Sequence, residues 1–178
     1  MTFQKFLSKE KISLPAESLQ LCQQGLRHLA EVADHFHGLK HVESILTKLS
    51  QLLQQETFPR KIRFDILLPA IVWHDCWKAG RRSQFPLTLL FDQLWDGHGS
   101  YWLFRSATKH SRVPLRIRQI ISHTIRDHSW LALEDHASLE YKILHDLDGL
   151  EEWRSAGVTT LMVAGDREAA RTMAELVL

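Results

Sequence analysis

The chain has 178 residues, of which 44% are hydrophobic, and its 22 Lys and Arg nearly balance its 21 Asp and Glu, leaving a net charge of +1. These figures predict one folded domain over residues 1–178 and argue against an acidic disordered tail or a highly basic nucleic-acid-binding protein. Two cysteines are too few for a disulfide framework, and no apolar run approaches the roughly 20 residues of a membrane span. We therefore expect a soluble, cytoplasmic protein with no membrane partner and no strong signal for nucleic-acid binding.

Helices are predicted along the whole chain, because Gly (8) and Pro (5) are scarce and alternating β-branched runs are few. Apolar residues at helical spacing place them at about residues 15–33, 39–54, 60–77, 87–94, 101–108, 113–127 and 139–150, with a further helical stretch from residue 166. A loop is predicted from Arg81 to Pro86. The third helix is apolar nearly all round from Ile66 to Trp73, so we expect it at the centre of an all-α fold, with a bend or a shift of register at Pro69.

Histidine is unusually frequent, with 11 residues against 8 Gly and 8 Phe. It is the commonest metal-ligating residue and a frequent acid or base, so its abundance points to a functional site. The pair His74-Asp75 directly follows the apolar run, where a charged dyad is costly unless it is paired, protonated or bound to metal. The dipeptide alone is weak support, because His145-Asp146 is a second example.

Other predicted helices carry polar residues that can reach the same place as this pair. His41 lies one turn before Ile45, and Asp148 lies one turn after Leu144, so both can point towards the core. Further candidates on the remaining helices are His98, His123 and His128. If these helices converge on one polar pocket, its imidazole nitrogens and carboxylate oxygens suit a divalent Mn, Fe, Co, Ni, Zn or Mg ion.

In order and context, these residues resemble the motif of the HD-domain superfamily of metal-dependent phosphohydrolases. The matched positions, in chain order, are His41, His74-Asp75 in LLPAIVWHDCWK, His98, His123 in the pattern IxxIIxH, and Asp148 in HDLDGLE. The resemblance covers about residues 35–152 and implies a single all-α HD-type domain with a metal site between its helices. Gly99 departs from the Glu or Pro that many binuclear members carry there. The HHE and GYP elements of the cyclic-dinucleotide phosphodiesterases are absent, so a cyclic-dinucleotide substrate is not expected.

The resemblance also implies roles for individual residues. One metal ion would be held by His41, His74, Asp75 and Asp148, and a second, bridged by Asp75, would be held by His98 and His123. His128 fits the IISHTIRDHS segment as well as His123 does and could replace or join it. Lys78 matches the lysine of the HDxxK form of the motif and would hold substrate phosphate together with Arg81 or Arg82. With metal-activated water as the nucleophile, the implied activity is hydrolysis of a small phosphorylated compound, such as a nucleotide or other phosphomonoester.

Each of these residues also has a plainer interpretation. A histidine at a helix end is usually a surface or hydrogen-bonded core residue, and Lys78, Arg81 and Arg82 are as readily a solvated cluster. His37, four residues before His41, shares its helical face and either adjoins the site or simply packs there. Two other functions stay open: an HD-like di-iron oxygenase with a similar set of His and Asp ligands, and a non-catalytic sensor or interaction module that keeps the fold. The substrate, the metal and the oligomeric state are open as well.

Overall fold

The computed structural model describes residues 1–31, 38–59, 61–79, 86–128 and 138–156. Within these ranges every regular element is a helix, which confirms the all-α prediction. The helices are α1 (Phe3–Lys9), α2 (Ala16–Ala30), α3 (Leu39–Leu53), α4 (Phe64–Trp73), α5 (Cys76–Ala79), α6 (Pro86–Ala107), α7 (Leu115–Asp127) and α8 (Leu139–Ala156). None of these described helices is long and apolar enough to cross a lipid bilayer. The helical stretch predicted from residue 166, and most of the loop predicted from Arg81 to Pro86, lie outside the described ranges.

Helix α4 forms the centre of the fold, as its all-round apolarity predicts. Every residue from Ile66 to Trp73 is buried, and the helix packs against α2, α3, α7 and α8. Pro69 lies inside it, and the helix nevertheless continues to Trp73. Proline removes only the N–H that would bond to the carbonyl of Asp65, in the first turn of the helix. Burial of the whole helix therefore outweighs the loss of one hydrogen bond.

Both ends of α4 are attached to neighbouring helices. At its start, the Arg63 N–H donates to Oε1 of Glu140 on α8 at 3.0 Å. At its end, the indole N–H of Trp73 donates to the carbonyl of Leu21 on α2 at 3.0 Å. Gly25 lets α2 approach closely, because a Cβ at this position would come within 2.8 Å of the Trp73 ring. These contacts hold the carboxyl end of α4, where the His74-Asp75 pair follows, in a defined position.

The predicted helix over residues 60–77 is divided in the structure. Helix α4 begins at Phe64, and a turn at His74 and Asp75 separates α4 from the short helix α5. The backbone N–H of His74 still donates to the carbonyl of Ala70 at 2.9 Å, as in a helix, and both His74 and Asp75 are buried. The polar dyad, rather than a glycine or proline, marks the point at which the helix is interrupted.

One helix, α6, spans the stretch where the sequence predicts two short ones. It runs through Gly97 and Gly99, which are weak helix formers. Both glycines have a packing role: a Cβ on Gly97 would overlap the carbonyl oxygen of Arg126 on α7, and one on Gly99 would overlap the indole ring of Trp77. The lack of a side chain at these positions lets α6 lie directly against α7 and α5. The departure from the HD motif at Gly99 thus has a physical reason.

Helix α1 is not predicted by the apolar spacing, because its 7 residues are too few to show a period. Thr2 caps it by accepting a hydrogen bond from the Lys5 N–H at 3.4 Å. Phe3, Phe6 and Leu7 are buried, and the helix packs against α3. Tertiary packing of three apolar side chains therefore stabilises a helix that would be marginal alone.

Candidate metal centre

Four side chains from separate parts of the chain meet in the interior, and we call them the four-residue group. His41 lies in the first turn of α3, His74 and Asp75 form the turn after α4, and Asp148 lies in the middle of α8. His74, Asp75 and Asp148 are buried, and the His41 side chain is only 10% exposed. Because α3 and α8 both pack against α4, they bring their polar residues to the end of α4. The structure therefore unites the residues that match the first metal position of the HD motif.

The potential ligand atoms of this group are close to one another. Nε2 of His41 lies 3.1 Å from Nε2 of His74 and 3.0 Å from Oδ1 of Asp148. Nε2 of His74 is 3.3 Å from the same carboxylate oxygen. Oδ2 of Asp75 is 3.4 Å from Nε2 of His41 and 3.5 Å from Nε2 of His74. One ligand atom from each residue fits within 4.8 Å of all the others, so the four can share one small ligand.

These separations match those of atoms that bind one metal ion. Imidazole nitrogen and carboxylate oxygen bind Zn²⁺ and similar ions at about 2.0–2.2 Å. Neighbouring ligands are then about 3.3–3.6 Å apart in a tetrahedron and about 2.8–3.1 Å apart in an octahedron. The observed distances of 3.0–3.5 Å lie in this combined range. The group could therefore hold a divalent metal ion, and its nitrogen and oxygen donors do not choose among Mn, Fe, Co, Ni, Zn and Mg.

A backbone hydrogen bond determines how His74 faces the group. Its Nδ1–H donates to the carbonyl oxygen of Ile71 at 2.7 Å, since a carbonyl can only accept. In the neutral ring Nε2 then carries the lone pair, and this is the nitrogen that faces His41 and Asp148. Metal-ligating histidines are commonly oriented in this way by a carbonyl or carboxylate on the opposite nitrogen. His74 is thus already in the tautomer that a ligand needs.

Charge in the group favours a cation. Burial by itself raises the pKa of Asp148, but His74, His41 and His128 beside it hold that pKa well below its ordinary value. Asp148 is therefore ionised at neutral pH, and Asp75 adds a second buried carboxyl group. Buried carboxylates are costly unless positive charge compensates them. A bound divalent cation would compensate the charge of Asp148.

His128, which the sequence leaves as an alternative or addition to His123, lies beside the four-residue group. It is buried just after α7, and its Nδ1–H donates to the carbonyl of Ile125 at 2.5 Å. Its ring centroid is 5.0 Å from that of His74, and its Nε2 is 3.8 Å from Oδ2 of Asp148. Asp148 therefore presents one oxygen to His41 and His74 and the other to His128.

The structure does not bring His98 or His123 into this group. Both are exposed: the His98 ring stacks on Trp95 with centroids 5.5 Å apart, and the His123 ring contacts Tyr101 at 6.1 Å. Among the described residues, the four-residue group is the only set of three or more His, Cys, Asp or Glu side chains whose ligand atoms all lie within 4.8 Å of one another. A second metal ion held by His98 and His123 gains no support from these positions and stays a prediction of the resemblance.

Four other predicted site residues cannot be placed in the same detail. His37, Arg81 and Arg82 lie outside the described residues. Lys78 lies in α5, and only its backbone is described. Their roles at the site and at the phosphate stay predictions.

Sequence patterns do not reveal two backbone groups that orient the site. The carbonyls of Ile71 and Ile125 each accept a hydrogen bond from the histidine three residues later. The last four carbonyls of a helix have no partner within the helix, so a histidine just beyond the helix end can bond to one of them. A histidine at the predicted end of an apolar helix is the signal that identifies such a residue.

No protein-family model matches the chain, and no curated protein or solved structure gave a significant match.

Proposed function

We propose that this protein is a metal-dependent phosphohydrolase of the HD type that acts on a small phosphorylated compound, such as a nucleotide or other phosphomonoester. The observation that carries the proposal is the meeting of His41, His74-Asp75 and Asp148, whose ligand atoms lie within 4.8 Å of one another. These residues follow one another along the chain in the order of the HD motif. Helix packing by itself does not require the residues of the motif to lie close together. Their proximity therefore supports the resemblance in addition to their order along the chain.

The residues of the site have different roles in the proposed reaction. His41, His74, Asp75 and Asp148 would hold a divalent ion, which would supply Lewis acidity and a water molecule whose pKa is lowered to about 7, and so a nucleophile at neutral pH. His74 offers Nε2 in an orientation that the Ile71 carbonyl maintains. Asp75 and Asp148 supply negative charge and oxygen ligands. His128, with Nε2 3.8 Å from Oδ2 of Asp148, lies where it can accept or donate a proton beside the four-residue group.

Lys78 is assigned to the substrate phosphate, together with Arg81 or Arg82. It follows the His74-Asp75 pair at the spacing of the HDxxK form of the motif. A charge-assisted hydrogen bond contributes about 1.5–3 kcal/mol, which corresponds to a factor of about 10 to 150 in kcat/KM. We expect Lys78→Ala to lose this factor while the metal content stays unchanged. Unchanged kinetics would place Lys78 on the solvated surface.

The proposal is tested by elemental analysis of the purified protein, followed by phosphate release from a panel of nucleotides and phosphomonoesters with Mn²⁺, Fe²⁺, Co²⁺, Ni²⁺, Zn²⁺ or Mg²⁺. We expect at least one ion per chain and turnover of one class of phosphoester. Asp148→Asn should lose both, whereas Asp146→Asn, two residues away and partly exposed, should keep both. Bound iron with consumption of dioxygen and no phosphate release would favour the di-iron oxygenase. A metal-free, inactive protein would favour the non-catalytic module.

A further inference from the structure

Positive charge is concentrated in one segment of this nearly neutral chain. From Gly97 to Arg126 the sequence has six basic residues and no Asp or Glu, although the net charge of the whole chain is only +1. The six are Arg105, Lys109, Arg112, Arg116, Arg118 and Arg126. This segment comprises the second half of α6, the connection at 108–114 and α7 as far as Arg126, just before the acidic Asp127. The chain is therefore nearly neutral as a whole, but this part of the fold is strongly basic.

Helices α6 and α7 pack side by side and antiparallel. Gly97 adjoins Arg126 at one end, and at the other end the guanidinium of Arg118 donates to the carbonyl of Thr108 at 2.9 Å. Arg118 is thus used inside the connection, and Arg126 forms an ion pair with Asp127 at 2.5 Å. The other four basic residues, Arg105, Lys109, Arg112 and Arg116, are exposed, and no ion pair between them and a described carboxylate is present. Their charges are directed to solvent.

The outer face of α6 carries large aromatic side chains. Trp102 is 60% exposed and Trp95 is 47% exposed, and the exposed residues His98 and Arg105 lie on the same face at spacings of three and four residues. The guanidinium carbon of Arg105 lies 5.3 Å from the centroid of the Tyr101 ring and 5.7 Å from that of Trp102. Exposed tryptophans with a cation beside one of them are typical of a binding surface rather than of a solvated helix.

The outer face of α7 continues this surface. The ring of His123 contacts Tyr101 of α6 with centroids 6.1 Å apart, which joins the two faces. Beyond His123, the exposed residues of α7 are Gln119, Arg116 and Leu115, and Leu115 is 59% exposed. We call the whole area the α6–α7 surface, formed by Trp95, His98, Tyr101, Trp102, Arg105, Lys109, Arg112, Leu115, Arg116, Gln119 and His123.

We infer that the α6–α7 surface binds single-stranded nucleic acid. Four exposed cations complement a phosphodiester backbone, and planar rings along α6 offer faces on which unpaired bases can stack. Arg105 adds a guanidinium plane next to the aromatic rings. A lipid surface fits less well, because Leu115 is the one exposed large aliphatic side chain described on the α6–α7 surface itself. The inference goes beyond the proposed phosphohydrolase activity and does not depend on the metal centre.

The test is fluorescence anisotropy of a labelled oligo(dT) of about 20 nucleotides, long enough for a typical single-strand site. The 178-residue protein is titrated in EDTA, so that hydrolysis cannot interfere. We expect saturable binding that weakens with salt at a slope of about −0.7 per neutralised phosphate. Loss of one stacking side chain in Trp102→Ala should weaken binding about 5- to 150-fold. Parental affinity of Trp102→Ala, or no binding at low salt, would overturn the inference.

A matched pair of charge variants separates this surface from general electrostatic attraction. Lys109→Gln, Arg112→Gln and Arg116→Gln are combined in one variant, and Lys5→Gln, Arg27→Gln and Lys61→Gln, all exposed elsewhere, are combined in the control. Both variants remove three positive charges. The first should reduce the salt slope by about 2 and the control should leave it unchanged.

Three further measurements complete the test. Equal loss of affinity in the two charge variants, with circular dichroism showing both folded, would overturn the inference. So would binding to vesicles of phosphatidylcholine and phosphatidylserine in preference to oligo(dT). Asp75→Asn should bind oligo(dT) like the parent, which keeps a failure of this inference distinct from a failure of the proposed function.

Discussion

Two pairs of histidines in this protein lie in contrasting environments, the candidate metal centre and the α6–α7 surface. His74 and His128 are buried, each bonds through Nδ1 to a backbone carbonyl, and each presents Nε2 to Asp148. His98 and His123 are exposed and contact aromatic rings instead. The same residue type therefore occurs in two different chemical environments, one buried beside a carboxylate and one exposed beside aromatic rings. A fixed orientation and a neighbouring carboxylate distinguish a ligand candidate better than the abundance of histidine does.

The two regions also differ in the energetic consequence of a substitution. Removing one partner from a buried charged group leaves the others uncompensated in a medium of low dielectric constant. Removing one exposed cation changes an interaction that water and salt already screen. We therefore expect single substitutions to have large effects at the metal centre and small effects on stability at the α6–α7 surface. The following predictions test this difference, beginning with the largest effect.

Asp75→Asn should decrease hydrolysis by more than about 100-fold while the helical fold stays intact. Loss of an outer-shell partner of a metal ligand already costs about 10- to 100-fold, and the ligand itself should matter more. Asn keeps the shape of Asp but has neither the charge nor two equivalent oxygens. Asp65→Asn is the control, because Asp65 pairs with Arg63 near the surface at 2.7 Å. Metal content, thermal midpoint and turnover are measured on the same preparations. Full activity per folded molecule with parental metal content would remove Asp75 from the site.

His128→Gln should weaken metal binding or turnover by about 10- to 100-fold, because His128 contacts both Asp148 and the His74 ring. His98→Gln and His123→Gln should leave the metal stoichiometry unchanged, since both side chains are exposed. Elemental analysis of metal-loaded, desalted protein measures all three. A stoichiometry that falls from two ions to one in the His98 or His123 variant would show instead that the ligand set implied by the resemblance is right.

Gly97→Ala should destabilise the protein by about 1–3 kcal/mol, because a Cβ at this position overlaps the Arg126 carbonyl and forces α6 away from α7. Ser106→Ala, at an exposed position of α6, is the control and should have little effect. The midpoint of urea unfolding measures the difference. A parental midpoint for Gly97→Ala would mean that the two helices separate without cost.

In the metal-free protein, Asp148→Asn should reduce the loss of stability that occurs as the pH falls into the acid range. The pKa of Asp148 in the folded protein lies well below its ordinary value of 3.8. A carboxyl group of this kind stabilises the fold above its unfolded pKa, and this contribution is lost as the pH falls through the folded pKa. Thermal midpoints in EDTA from about pH 5 down to about pH 2 should therefore decrease less steeply for Asp148→Asn than for the parent. Asp146→Asn should keep the parental slope, and parallel curves for all three proteins would contradict the assignment.

The central helix shows what periodicity can predict. The apolar run from Ile66 to Trp73 correctly indicates a buried helix, because a helix that is apolar on all sides is removed from water only in the interior of the fold. Helix α6 shows the limit. Gly97 and Gly99 weaken its helix propensity, but they permit contacts with α7 and Trp77 that a propensity does not include. A local sequence pattern indicates the helix propensity and polarity of one segment. It does not include the contacts that the segment makes with other helices.

The candidate site shows the same division. His41, His74, Asp75 and Asp148 were within reach of sequence reasoning, because their order along the chain carries the resemblance. The choice between His123 and His128 was not. The two differ by five residues, which turns one relative to the other by about 140° around α7, and only the packing of α7 against α4 and α8 decides which side faces the core.

Local periodicity in the sequence is enough to predict the helical class and the buried centre. The four residues with the best claim to a metal ion come from the resemblance that their order along the chain carries. Tertiary structure decided which histidine joins them, why glycine occupies α6, and that the basic residues of a neutral chain gather beside two exposed tryptophans. Each of these depends on the approach of helices distant in sequence. The free energy of packing two helices together depends on how well the shapes and charges of both surfaces match. A single segment of sequence contains only one of these surfaces, so it does not determine the contact.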